Sequence, residues 1–176
     1  MRIYVASSWK NTRQPAVVQE LRAAGHEVYD FRHPEPGDDG FSWTQCALSP
    51  EHLKDPRLFR DKVLSHPVAR AGFNKDMNAL AAANVTVLVL PCGRSAHLEL
   101  GWAAGRGQRT VVLLDDPMSE PELMYLVNTA ICASMEEVLE EVRAKCRYCG
   151  ARAPATFSLP AGCFYECARC ADARGP

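Results

Sequence analysis

Short apolar runs alternate with segments of helical periodicity along most of this chain. Ile3 to Ala6 is an apolar run followed by the polar turn Ser7-Ser8-Trp9-Lys10-Asn11. Val17, Val18 and Leu21 then recur at helical spacing in a segment predicted as a helix from about Pro15 to Ala24, stopped by Gly25. His26 to Phe31 supplies a second strand, which gives a first βαβ unit. The most apolar stretch, Val85 to Leu90, is rich in β-branched residues and too short for a core helix, so it predicts a parallel strand buried on both faces. It ends at Pro91, and the turn Cys92-Gly93-Arg94-Ser95 leads into a helical pattern with Leu98, Gly101, Trp102 and Gly105 on one face. Thr110 to Leu114 is the next strand.

Around this centre, Asn74 to Ala83 predicts a helix with Met77, Leu80 and Ala81 inward and Asp76 in its first turn. Glu120 to Tyr125 reads as the start of a short helix, Val127 to Ile131 as an edge strand, and Met135 to Arg143 as a helix burying Val138, Leu139 and Val142. Strands separated by helices five times over predict an α/β fold, a doubly wound, flavodoxin-like parallel sheet. From Arg32 to Gly72 the pattern breaks among Pro34, Pro36, Gly37, Gly40, Pro50, Pro56 and Pro67; this segment is expected to form short helices making a lid or wall beside the site.

In such sheets ligands sit outside the carboxyl ends of the strands, where helix amino termini present free N–H groups. That places Glu99, expected in the first turn of its helix, at the mouth of the central βαβ unit. A carboxylate there interacts favourably with the helix dipole. A capping box would need the acid three residues after its cap, and Ser95 stands four before Glu99, so capping does not account for it.

Composition adds a second region. Residues 143–176 hold six Lys or Arg against two Asp or Glu, which leaves 14 against 19 in the remainder. The body is therefore acidic and does not look like a nucleic-acid binder by bulk charge. No stretch is long and apolar enough to cross a bilayer, and Arg2 leads straight into a strand with no signal-peptide core, which predicts a cytoplasmic protein without membrane partners. In a reducing compartment, Cys146-x-x-Cys149 and Cys167-x-x-Cys170, 17 residues apart, match a four-cysteine structural zinc site. The chain thus divides into a domain over 1–142 and a zinc ribbon over 143–176, with a small hairpin expected between the pairs. Zinc would supply folding energy that so short a tail cannot gain by burial, and the basic ribbon leaves open docking on nucleic acid, the body or a second subunit. Cys92, at the mouth, reads as a small packing residue.

Three stretches, IYVASSWKN, FNKDMNAL and PCGRSAHLELGWAAGRG, resemble the nucleoside 2-deoxyribosyltransferase family and its nucleotide N-hydrolase relatives, over residues 1 to about 142. Ser95, Glu99 and Gly101 stand at that family's motif positions. The resemblance implies Glu99 as the nucleophile at C1′ of the sugar, Asp76 as the group that protonates or orients the departing base, and Tyr4 as a residue lining the site. It implies a 5′-phosphate held by Ser7, Ser8 and Lys10, and a segment near Glu122-Leu123-Met124 contributed across a dimer interface, so that Met124 meets substrate in a homodimer or higher homo-oligomer. Where the family usually carries an acid before the Ser, this chain has Gly93-Arg94; Arg94 and Lys10 suit an anionic substrate. His97 is a further departure, facing the site or capping the helix.

The chemistry is consistent with two carboxylates in different environments. Cleaving an N-glycosidic bond develops oxocarbenium character at C1′, which one carboxylate captures while a second acid assists the leaving base. The expected activity is therefore N-glycosidic cleavage or transfer on a nucleoside or nucleoside 5′-monophosphate. Two alternatives stand beside it: NAD cleavage of the TIR-like kind, and a nucleotide-sensing or interaction module without turnover.

Overall fold

The computed structural model of the protein describes residues 1–115, 121–143 and 167–174. It comprises two compact units, Met1–Tyr29 with Ala83–Pro176, and Asp30–Ala82.

The first unit is built on a five-stranded sheet in the order β2-β1-β3-β4-β5, with β1 Arg2–Ala6, β2 Glu27–Asp30, β3 Val85–Val89, β4 Arg109–Leu113 and β5 Ala130–Cys132. β1 runs parallel to β3, β3 to β4, and β4 to β5, in registers that set Val5 beside Val87 and Val87 beside Val111. This is the flavodoxin-like strand order, and the doubly wound expectation holds. Every residue of β3 is buried, which is why its sequence is apolar but for Thr86 and shows no alternation. Three helices of this unit are α1 Gln14–Ala23, which buries Val17, Val18 and Leu21, α5 Arg94–Gly105, and α6 Met135–Val142. Ile3, Val18, Leu21, Val87, Val111 and Val138 belong to one continuous core. Ser134 caps α6 by accepting from the Glu137 N–H, 3.2 Å away. Ile131 is largely exposed on the edge strand, and Leu123–Val127 forms a 3₁₀ turn ahead of it.

The second unit holds the segment whose pattern breaks down, and it is made of short helices as expected. A 3₁₀ turn at Trp43–Cys46 precedes α2 Pro50–Lys54, α3 Pro56–Leu58, a wide turn at Phe59–Val63, and α4 Pro67–Ala82. Pro50, Pro56 and Pro67, which look like breakers in the sequence, each occupy the first position of a helix, where the missing N–H costs nothing. Asp55 caps α3 through the Arg57 N–H at 2.7 Å. The early start of α4 corrects two expectations. Asp76 lies in its third turn rather than its first, and Ala81 is exposed while Leu80 is buried. Gly72 in mid-helix is explained by close approach: a Cβ there would stand 2.9 Å from Cβ and Cγ of Phe41. Phe41 in turn meets Trp43 edge-on at 4.9 Å, and Lys75 pairs with Asp38 and Glu35, which fastens the preceding loop to α4. The Asp38 partner holds the Lys75 ammonium above its usual pKa, and Lys75 holds the Asp38 carboxyl below its own.

The last described element is α7 Ala168–Arg174, with Cys167 just ahead of it. Cys146, Cys149 and the hairpin expected between the cysteine pairs lie outside the described residues.

Candidate functional site

In the first unit the turn after β1 meets the turn after β3 at the carboxyl edge of the sheet. Asn11 organises the junction. Its side chain is only 3% exposed, and Nδ2 lies 2.9 Å from Ser7 Oγ, 3.0 Å from the Val89 carbonyl and 3.1 Å from the Pro91 carbonyl. Asn11 Oδ1 accepts from the Arg13 N–H at 2.8 Å, at the start of α1. The Ser7 hydroxyl donates to the Val89 carbonyl at 2.8 Å, and the Lys10 N–H donates to Ser8 Oγ at 3.2 Å. Arg13 Nη1 reaches the Leu114 carbonyl at 3.1 Å and the Leu90 carbonyl at 3.4 Å. Strand-end carbonyls that lack a ladder partner are thus satisfied by three side chains of one turn.

The turn after β3 opens α5. Gly93 is its cap residue in extended conformation, and Arg94 and Ser95 are the first and second helical residues, both exposed. Glu99 is the sixth, so it stands in the second turn and not the first, and it is half-buried. With Gly93 rather than Ser95 as the cap, a capping box is excluded for Glu99, and the dipole term that falls off within the first turn contributes little. The face of α5 that packs on the sheet is Ala96, Leu100 and Ala103. The face carrying Leu98, Gly101 and Gly105 points to solvent instead, with Leu98 74% exposed.

His97 makes the most specific contacts of the helix. Its Nδ1 lies 3.0 Å from the Gly93 carbonyl and 3.5 Å from Cys92 Sγ, and its Nε2 lies 2.9 Å from the Tyr125 hydroxyl. A carbonyl only accepts, so the neutral ring carries its proton on Nδ1 and takes the Tyr125 proton on Nε2. In that tautomer Nδ1 is no base for the Cys92 thiol.

The remaining expected residues fall as follows. Tyr4 is buried within β1, its ring stacked on Tyr29 at 5.4 Å and 13°. Met124 is exposed on the Leu123–Val127 turn, where the Glu122 carboxylate accepts from its N–H at 2.7 Å. Asp76 is half-buried on α4 of the second unit. A cavity of about 310 Å³ opens at the carboxyl ends of β3 and β4, lined by Leu90, Leu114, Leu123, Tyr125 and Leu126 with the Asp115 carboxylate. Cys167 and Cys170 sit half-buried at the head of α7, where the Cys167 carbonyl accepts from the Cys170 N–H at 2.9 Å.

Asn11 and Arg13 carry no mark in the sequence, since both are polar residues in a turn, and the pairing of β1 with β3 shows which partners they reach; the Tyr125 partner of His97 likewise comes to light only in the fold.

These features define an α/β protein of the doubly wound, flavodoxin-like type with a helix-borne glutamate near the carboxyl edge of its central strand. No family model and no curated protein matches the chain. Solved structures do. A conserved protein from Enterococcus faecalis V583 is 16% identical, with 80% of this chain and 96% of that one covered and a TM-score of 0.51. A 2-deoxyribosyltransferase from Bacillus psychrosaccharolyticus is 19% identical over 78% of this chain and 90% of that one, with a TM-score of 0.49. A CMP N-glycosidase from Clostridium botulinum is 17% identical over 81% and 97%, with a TM-score of 0.43. At these identities the likeness is one of fold.

Among the described residues no helix is long and apolar enough to cross a membrane.

Proposed function

We propose that this protein cleaves or transfers the N-glycosidic bond of a nucleoside or nucleoside 5′-monophosphate, with Glu99 as nucleophile and Asp76 as acid. The observation that carries the reading is the placement of Glu99: a half-buried acid in the second turn of α5, the helix that follows the central strand β3. The motif resemblance around Ser95, Glu99 and Asp76 supports the same roles.

In this reading the Glu99 carboxylate attacks C1′ as the C1′–N bond breaks, and the bonding pair leaves with the base, which takes a proton from Asp76. Water, or a second base, then displaces Glu99 from C1′, giving up its proton to the Asp76 carboxylate, and returns the free Glu99 carboxylate. Ser7, Ser8, Lys10, Arg94 and Ser95 hold the substrate's anionic end, beside the N-terminus of α5. Tyr4, enclosed in β1 and stacked on Tyr29, backs the sugar side from within the core. The protein works as a homodimer or higher homo-oligomer in which Met124 meets the neighbouring copy's substrate; the apolar side chains Leu123, Met124, Leu126 and Val127, each between 57% and 75% exposed, support such an interface. Cys146, Cys149, Cys167 and Cys170 hold one structural zinc ion.

Incubation with a panel of nucleosides, nucleoside 5′-monophosphates and NAD, followed by quantification of free base, tests the reading. Release of base that Glu99→Ala abolishes is expected. Nicotinamide release alone would support the NAD-cleaving alternative, and tight binding without turnover would support a sensing module.

A further inference from the structure

We infer that Asn11 is a positioning residue that sets the distance between the substrate's phosphate-holding turn and the Glu99 helix. The inference rests on the proposed reading of this edge as the substrate edge, and deepens it.

The Asn11 side chain is almost fully enclosed, and an amide so placed needs partners for both N–H bonds and for its carbonyl. Nδ2 has two hydrogens and three oxygens within reach: Ser7 Oγ on its own turn, and the Val89 and Pro91 carbonyls on the other. Oδ1 is used by the Arg13 N–H. One side chain therefore fixes the exit of β1, the start of α1 and the exit of β3 at once. Gly93, the cap of α5, follows Pro91 by two residues, so the position of Asn11 is passed to α5 and Glu99 through a short, satisfied stretch of backbone. The same amide has an electrostatic effect. The Val89 and Pro91 carbonyls would otherwise turn their negative ends toward the place where a phosphate is to sit; Asn11 engages both, and Arg13 engages Leu90 and Leu114. No hydrophobic residue of similar volume could do this, and Asp would set a carboxylate against three oxygens.

The consequence is selective. A nucleoside without phosphate does not use the Ser7–Lys10 turn, so loosening that turn should harm monophosphate recognition and spare the nucleoside. The test is equilibrium titration of the full chain carrying Glu99→Ala, which prevents turnover, with adenosine, cytidine and their 5′-monophosphates. The expected result is a preference for monophosphate of about tenfold or more, the size of a few phosphate hydrogen bonds. Adding Asn11→Ala should erase most of that preference while leaving nucleoside affinity within about threefold. Asn11→Ser, which keeps one small donor, should restore part of it and carries the comparison if Asn11→Ala does not fold. Equal losses for nucleoside and monophosphate, an undiminished preference in Asn11→Ala, or no phosphate preference at all would overturn the inference. Base release by the wild type on nucleosides alone would leave the proposed activity standing in each of those cases; absence of base release with an Asn11-dependent phosphate preference would remove the activity and keep the inference.

Discussion

The Tyr125 hydroxyl donates to His97 Nε2 across 2.9 Å while the two rings stack with centroids 5.8 Å apart and planes 11° from parallel. The pair ties the first turn of α5 to the 3₁₀ turn Leu123–Val127, 28 residues later. One half of the contact is polar and the other apolar, so the two are separable by mutation.

Tyr125→Phe keeps the buried ring and removes the hydrogen bond. It should lower stability by about 1 kcal/mol, the usual net worth of such a bond, whereas Tyr125→Ala should cost about 3 kcal/mol or more. Urea midpoints at constant m-value measure both. Equal losses in the two variants would mean that the stacking contributes nothing.

Gly72→Ala gives a second test, in the other unit. Helix propensity alone favours Ala by about 1 kcal/mol, but the new methyl would stand 2.9 Å from Phe41, and overpacking of that kind costs about 1–3 kcal/mol. Net destabilisation is expected. In a Phe41→Gly background, which removes Cβ as well as the ring, the same substitution should become stabilising, a sign reversal that thermal melts detect.

Stability should fall in mild acid. The His26 imidazole is held down to a pKa of about 4, first by burial and then by the N-terminal ammonium, whose nitrogen lies 3.4 Å from Nδ1. Burial also lowers the pKa of that ammonium. A folded-state pKa below the unfolded one means that the unfolded chain takes up the proton first. For His26 the full stability is present above about pH 6.5 and is lost as pH falls toward 4. His26→Gln should flatten this part of the stability profile, read by denaturant midpoints from pH 4 to 8. An unchanged slope would assign the acid sensitivity elsewhere.

The cysteine-rich tail predicts one equivalent of zinc per chain by elemental analysis, with release on treatment with a strong chelator and loss of the metal in a Cys167→Ser, Cys170→Ser double variant. Metal-free protein with fully reactive thiols at residues 146, 149, 167 and 170 would contradict it.

The sheet is legible in the sequence because burial on both faces leaves runs such as Val85 to Val89 without a charged residue, and the parallel arrangement follows from the regular alternation of strand and helix. Helix starts are less legible. Pro67 is both a breaker and a preferred first residue, and nothing local decides between them; as a breaker it puts Asp76 in the first turn of α4, and as the first helical residue, which it is, it puts Asp76 in the third. Which face of α5 packs on the sheet is not legible either: Leu98 is 74% exposed, while the small Ala96 and Ala103 face the sheet with Leu100 and let the helix approach it closely. Glu99 stood out as an acid beside the central strand, and its place on α5 is one turn further along than expected. Asn11 gave no signal, since a polar residue in a polar turn is ordinary until the fold encloses it.

The central claim is that Glu99 forms and breaks a bond at C1′. The most direct measurement compares free base released from a panel of nucleosides and nucleoside 5′-monophosphates by wild type and by Glu99→Gln, with melting temperatures recorded alongside. Base release by the wild type that falls by about a thousandfold or more in a folded Glu99→Gln protein is the predicted result. Comparable release by the two proteins would contradict it.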